Sequence, residues 1–347
     1  MSVFDCGSDM RKFHGDEVTL SSGERTAMRE RRDTGRRRLE IGLDDEEHTQ
    51  PKMMCTQGSY AMHTMVQDPD LDYDIDDGVY FDEAALVDQY GFPLTPLESK
   101  ERVCAALSRD KRFANPAEVF PKCVRQAYHQ GYHIDMPVYR IRKEDDGHGG
   151  TCEIFELAGD GTWDLSDARA TTRWFKQQVS DRNGESAGEG DQMRRIIRLT
   201  KAYARSRSDW KDETTSGIVI TKLVADHFVA STGRDDEALL ETWKAIKAQL
   251  DWSTEVAHPV NTSKLAEAGN SKVRFFRDKL GWAIQQLAVL EDNCTRGEAR
   301  KAWDEVFDIN YFQKLPEPVQ KAEASRAFFI APETRSDVRN DGNGRFG

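Results

Sequence analysis

The sequence predicts an α+β fold in two parts: a mixed-sheet lobe, then an α-helical lobe, with the boundary near Leu165. Two observations carry this. Up to Trp163, segments such as 133–141 alternate apolar and polar residues with the period of two that a half-buried strand requires. Beyond it, residues 168–179, 192–206, 216–231, 235–249 and 272–291 space their apolar side chains at three and four, as amphipathic helices do, and 299–307 adds another. The expected organisation is a flexible N-terminus at 1–20, a core with its leading helix at 21–165, a helical lobe at 166–330 and a disordered polar tail at 331–347.

The elements follow in order. Residues 1–19 are mixed in charge with little periodicity. At Ser21 a capping pattern (Ser-Ser-Gly-Glu) opens a helix to about Leu43 that carries Arg29, Arg31, Arg32, Arg36, Arg37 and Arg38, with the acidic run 44–47 behind it. That charge pattern reads first as a solvated helix with local ion pairs, and second as a basic face lining a ligand cleft. A small-residue turn at 57–59 leads into a short helix at 59–66, and a strand runs from Asp74 through Phe81. A helix at 97–109, a short apolar-periodic stretch at 119–128, the strand 133–141 and another at 152–157 complete the first lobe. Residues 181–191 (DRNGESAGEGD) read as a loop.

Composition narrows the function. The 347 residues carry a formal net charge of −12, which argues against a general nucleic-acid coat and against an obligate nucleic-acid partner. No apolar run reaches the ~20 residues of a membrane span, and the first residues are too polar for a signal peptide. The six cysteines are scattered without a CxxC pair, so neither a disulfide framework nor a zinc site is expected. A cytoplasmic protein is the expectation.

The chemistry concentrates in Gln57-Gly58-Ser59 and Asp74-Ile75-Asp76. Residues i and i+2 of a strand share a face about 7 Å apart. Asp74 and Asp76 therefore aim at one point while Ile75 anchors the strand in the core. Carboxylates on a rigid strand suit Mg²⁺, with Mn²⁺ as a substitute, and such a cation is shared with substrate phosphates. The Gly58-Ser59 turn offers backbone N–H groups and a hydroxyl to those phosphates. A two-metal site needs a third carboxylate, and Asp135, set among Ile134, Met136 and Val138, supplies it. Asp77 should point to the opposite face as a structural residue. His63 reads as a packing or surface histidine, and the His129/His133 pair is not read as zinc-binding.

These motifs narrow further in combination. QGSYAMHTMV, YDIDDGVYF, YHIDMPVYRI, WDLSD, RLTKAYARSR and SGIVITKLV occur in that order. Together they resemble the CD-NTases, the bacterial cGAS/DncV-like nucleotidyltransferases of CBASS antiphage defence, from about Ser21 to Leu290. The resemblance implies a polymerase-β-like nucleotidyltransferase core that condenses ATP and other NTPs into a cyclic di- or trinucleotide, such as cyclic GMP-AMP or cyclic AMP-AMP-GMP. It implies a downstream effector switched by that product. It gives Asp74, Asp76 and Asp135 the catalytic and metal role, and Gln57, Gly58 and Ser59 the triphosphate loop. Lys201 and Ser216 match positions that hold triphosphate from the helical lobe, and Ser166 and Asp167 match a pair close to bound nucleotide. Arg198, one turn before Lys201, is expected to assist. Met62 departs from the family, which has an aromatic residue there in its best-known member. The terminal Gly347 suits conjugation by a ubiquitin-transfer-like enzyme. The competing readings are a linear 2′-5′ oligoadenylate or RNA-tailing enzyme on the same core, and a catalytically idle nucleotide-binding module.

Overall fold

Apolar residues at 6, 10 and 13 already form one face of a helix, and the chain uses it. In the computed structural model, which describes residues 3–68, 73–111, 115–128, 131–185 and 188–317, α1 (Gly7–Phe13) buries Met10 and Phe13 and runs on through one wide turn to Val18. This corrects the expected flexible N-terminus. Phe13 lies 4.7 Å from Phe307 between ring centroids, and Asp9 accepts hydrogen bonds from Arg296 (3.0 Å) and Arg300 (2.9 Å), so the first helix is fastened to the last. All elements described here belong to one compact unit that ends at Lys314. The expected tail, with Gly347, lies outside the described residues.

The capping box foreseen at Ser21 is present: Ser21 Oγ accepts from the Glu24 amide, and Glu24 returns the bond to the Ser21 amide. It starts α2 (Ser22–Asp45). Then come β1 (Met53–Thr56), α3 (Gly58–Ala61), β2 (Asp74–Asp82), α4 (Pro96–Ser108), β3 (Glu118–Val119), β4 (Val124–Ala127), β5 (His133–Met136), β6 (Val138–Asp145), β7 (Thr151–Ala158) and β8 (Trp163–Leu165). The helical part consists of α5 (Ala168–Glu185), α6 (Glu189–Ala204), α7 (Gly217–His227), α8 (Asp235–Trp252), a small hairpin of β9 (Val256–Ala257) and β10 (Lys264–Ala266), α9 (Ser271–Gln286) and α10 (Arg296–Phe307). The loop expected at 181–191 is narrower, because α5 continues to Glu185 and α6 begins at Glu189.

Strands β1 to β8 form one mixed sheet. The single strand expected over 133–141 is divided at Pro137, which has no N–H to give to a ladder. Its two halves, β5 and β6, pair in parallel with successive halves of β2: Asp76 lies opposite Asp135, and Tyr80 opposite Tyr139. β1 pairs antiparallel with Asp77–Tyr80. The period of two then sorts the side chains. Ile75, Val79, Phe81, Ile134, Met136 and Val138 bury themselves with Leu39 and Leu43 of α2 and Val103 and Leu107 of α4. Asp74, Asp76 and Asp135 take the other face, together with Tyr80 and Tyr139. The arginine-rich α2 is more than a solvated helix: Arg38 is buried and donates to Leu107 O and Gln126 Oε1, and Arg36 reaches the sheet.

A candidate active site on the acidic face of the sheet

Three carboxylates converge because register and period demand it. Asp76 and Asp135 stand side by side on parallel strands, and Asp74 lies two residues back on the same face, opposite His133. Oxygen atoms of Asp74 and Asp135 and a ring nitrogen of His133 all lie within 4.8 Å of one another, a spacing that a single cation could bridge. His133 Nε2 is 3.7 Å from Asp74. Burial pushes the Asp76 carboxyl up to about 7, with the charges of Asp74 and Asp135 adding to the rise and Arg125 opposing it. A cluster of hard oxygen donors carrying more negative charge than its surroundings neutralise fits a divalent cation such as Mg²⁺.

Arg125 was not foreseen. On β4 it lies directly across from Asp135 and grips both carboxylate oxygens at 2.7 Å, while its guanidinium covers the Phe120 ring at 4.7 Å. Cross-strand partners depend on register, and no spacing in the sequence announces them. His133 lines the site as a neighbour of Asp74, in a role distinct from the His129 pairing considered above.

The loop before the strand fits against this face. Gly58 has φ +65°, and a Cβ on it would fall 2.0 Å from a carboxylate oxygen of Asp76, so only glycine lets the turn sit on the acid. Gln57 is placed otherwise than expected. Its side chain is buried between two tyrosines: Tyr80 Oη donates to Gln57 Oε1 (3.2 Å), and Gln57 Nε2 donates to Tyr139 Oη (3.2 Å). The tyrosine rings stack at 4.4 Å and 6°. Gly78 makes room, since a Cβ there would lie 3.0 Å from Gln57 Oε1 and within about that distance of both rings. Gln57 is thus the anchor of the loop, and Gly58 and Ser59 are the part that faces the cavity.

That cavity has a volume of about 540 Å³. Gly58, Ser59, Asp74, Asp76, Arg125 and His133 line it from the sheet side, and Lys201, Arg205, Lys211, Gly217 and Thr221 from the helices. Lys201 is buried and donates to Thr64 O (3.2 Å) and Thr64 Oγ1 (3.0 Å). Burial, aided by Arg205 and Arg198, lowers its pKa to about 7. Its terminal atoms lie close to the position of Gly217 at the N-terminus of α7, whose first residues Gly217 and Ile218 line the cavity. Ser216 is the exposed N-cap of that helix, and its hydroxyl makes no capping bond.

Three expected residues stand elsewhere. Asp167 caps α5, accepting from the Arg169 and Ala170 amides at 3.0 and 3.1 Å, and pairs with Arg173. Ser166 contacts the Tyr139 hydroxyl. Both lie beside the tyrosine pair and do not line the cavity. Arg198 lines a neighbouring cavity, one helical turn from Lys201. Asp77, as foreseen, is structural: it is fully buried and holds Arg36 Nε at 2.6 Å and Thr56 Oγ1 at 3.1 Å.

Known proteins share these features. Residues 52–139 match the family model described as cyclic GMP-AMP synthase DncV-like, nucleotidyltransferase domain. The cyclic GMP-AMP synthase of Escherichia albertii is 26% identical over 252 residues, 70% of this chain and 52% of that protein, so the chain spans about half the length of the curated relative it matches. Among solved structures, Vibrio cholerae DncV with GTP and 5MTHFGLU2 superposes with a TM-score of 0.68 at 18% identity, over 90% of this chain and 98% of that one. Escherichia coli MS115-1 CdnC with ATP gives 0.63 at 17%, over 88% and 98%. Bradyrhizobium diazoefficiens CdnG with GTP gives 0.65 at 14%, over 89% and 96%. At these identities the superpositions speak for the fold alone: an α+β nucleotidyltransferase fold. The chain therefore carries a DncV-like nucleotidyltransferase domain match across the acidic strands, at residues 52–139, and is similar to a cyclic GMP-AMP synthase over 70% of its length.

Proposed function

We propose that this protein is a template-independent nucleotidyltransferase that condenses NTPs into a cyclic di- or trinucleotide containing adenine, a second messenger that switches on an effector in antiphage defence. The observation that carries the reading is the in-register placement of Asp76 beside Asp135, with Asp74 two residues away, at the floor of a cavity whose opposite wall is cationic. In this reading Asp74, Asp76 and Asp135 hold Mg²⁺, or Mn²⁺ in its place. The bound metal would lower the pKa of a ribose hydroxyl and neutralise phosphate charge. Gly58, Ser59, Lys201 and the N-terminus of α7, with Ser216 as its cap, hold the triphosphate, and Arg205 and Lys211 add charge at the cavity edge. Ser166 and Asp167 act at one remove, steadying the Tyr139 end of the loop anchor. The relatives' structures with ATP and GTP support NTPs as substrates.

No helix among the described residues is long and apolar enough to cross a membrane, in keeping with the proposed cytoplasmic site of action. Conjugation at Gly347 by a ubiquitin-transfer-like enzyme stands as a further part of the proposal.

The test is incubation of the protein with all four labelled NTPs and Mg²⁺ or Mn²⁺. A phosphatase-resistant product of the mass of a cyclic di- or trinucleotide, absent with Asp74→Asn/Asp76→Asn, is expected. A phosphatase-sensitive ladder would favour a linear oligoadenylate or tailing polymerase, and no product under any activating condition would remove the reading.

A further inference from the structure

Asp74 and Asp76 on β2, with His133 and Asp135 on β5, form a two-by-two grid. Parallel register sets Asp74 beside His133 and Asp76 beside Asp135, and the alternation of a strand turns all four side chains to one face. Three corners of the grid are carboxylates and the fourth is an imidazole. The sequence pairs His133 with His129; the fold pairs it with Asp74.

The spacing at that corner is the spacing of donors around one ion. Two donors bound to a single cation at about 2.1 Å lie roughly 3 Å apart at right angles and roughly 4.2 Å apart on opposite sides. His133 Nε2 stands 3.7 Å from Asp74 Oδ1, and with an oxygen of Asp135 the three donors lie within 4.8 Å of one another. Among the described residues, no other group of three histidine, cysteine or carboxylate side chains meets that spacing. His133 is also held in place. Its amide donates to Tyr73 O at 2.9 Å, and β5 is hydrogen-bonded on both sides, to β2 and to β4. Its side chain is only 12% exposed, and it is the one histidine among the described residues that line the nucleotide cavity. A donor fixed by two ladders keeps its direction when an ion arrives.

An imidazole changes what such a site selects. Mg²⁺ keeps to oxygen donors, whereas a nitrogen donor favours first-row transition cations, increasingly from Mn²⁺ to Co²⁺. We propose that His133 is a metal ligand that sets the cation preference of this site, shifting it from Mg²⁺ towards Mn²⁺ and Co²⁺. The inference rests on the metal role given above to the aspartates and adds a nitrogen donor and a selectivity to it. The other use of such an imidazole is to steady Asp74 by a hydrogen bond from outside the coordination shell. That use brings no nitrogen to the metal and discriminates little between cations of equal charge and similar size.

The experiment is electron spin-echo envelope modulation of Mn²⁺ bound to the untagged full-length chain, with calorimetric titration of Mg²⁺, Mn²⁺ and Co²⁺ alongside. The wild type should show modulation from a directly bound nitrogen, altered when the protein is made with histidine carrying the heavy nitrogen isotope. His133→Gln, which offers an amide oxygen at similar reach, should abolish that modulation. The same variant should weaken Co²⁺ binding about tenfold and Mn²⁺ about threefold, and change Mg²⁺ by less than about twofold. Asp74→Asn/Asp135→Asn should lose all three cations. Because the wild-type spectrum reports the bound nitrogen directly, it decides the matter even where the His133 variant is unstable. Absence of nitrogen modulation in the wild type, or an equal loss of all three cations in His133→Gln, would overturn the role of His133 and leave the carboxylate site standing. Undiminished Mn²⁺ binding by Asp74→Asn/Asp135→Asn would overturn the carboxylate site itself, and this inference with it.

Discussion

Asp76 and Asp77 are neighbours in sequence and opposites in structure. Asp77 is fully buried against α2, where Arg36 and Thr56 satisfy its oxygens, so its charge is matched within the protein. Asp76, on the other face of the same strand, is enclosed with Asp74 and Asp135 for company, and burial and those charges raise its pKa to about 7. A buried carboxylate with a built-in cation is part of the scaffold. One half-buried beside its own kind, with the nearest guanidinium committed to Asp135, is a place kept for a cation from outside.

That contrast can be broken in several ways. The largest effect is expected on catalysis: Asp76→Asn or Asp135→Asn should lower product formation by roughly 10³-fold or more, the scale of lost electrostatic stabilisation in a transition state, whereas Asp77→Asn should retain activity in whatever fraction remains folded. Radiolabelled NTP turnover, normalised to folded protein, checks both. Stability should run the other way. Asp77→Ala strands Arg36 and should destabilise by about 3 kcal/mol, while Asp76→Asn removes a repelling carboxylate and should stabilise the metal-free protein by roughly 1–3 kcal/mol at pH 8. Urea unfolding midpoints read the two signs directly.

The pH dependence sharpens the same point. Because the folded pKa of Asp76 is raised from 3.8 to about 7, the folded state keeps a proton that the unfolded chain has released between those values. This contribution to stability is fully present below about pH 4 and is lost as pH rises through 7. Mg²⁺ should therefore stabilise the protein increasingly from pH 5 to 8 and release protons on binding at the acid end. Thermal unfolding with and without Mg²⁺ across that range tests it, and a stabilisation independent of pH would count against the acidic cluster as the metal site. The smallest effect belongs to the loop anchor: Tyr139→Phe should cost about 1 kcal/mol of stability and raise the KM for NTP several-fold with a smaller change in kcat.

Much of this was legible in the sequence, and the reasons are specific. Asp74 and Asp76 could be assigned to one face because a strand repeats every two residues, and Asp135 because a carboxylate among Ile134, Met136 and Val138 needs a reason to be there. The first helix was missed although residues 6, 10 and 13 carry its pattern, since a single short apolar stripe amid charges is a weak signal without Phe307 and Phe312 to receive it. Arg125 was beyond reach because its partner is set by strand register, not by spacing. Helix periodicity puts Arg198 near Lys201, but it cannot tell that the loop segment runs between them as a wall, leaving Arg198 on the neighbouring cavity. Gln57 belongs to the phosphate loop by its position, and only the tyrosine pair on the next two strands shows that its side chain turns inward.

The most direct test is anomalous diffraction from crystals grown with Mn²⁺ and a non-hydrolysable ATP analogue. The account predicts manganese bound between Asp74, Asp76 and Asp135, with Arg125 drawn off Asp135 and the triphosphate beside Gly58, Ser59 and Lys201. Manganese absent from these carboxylates, with Arg125 still gripping Asp135 while the analogue is bound, would contradict it.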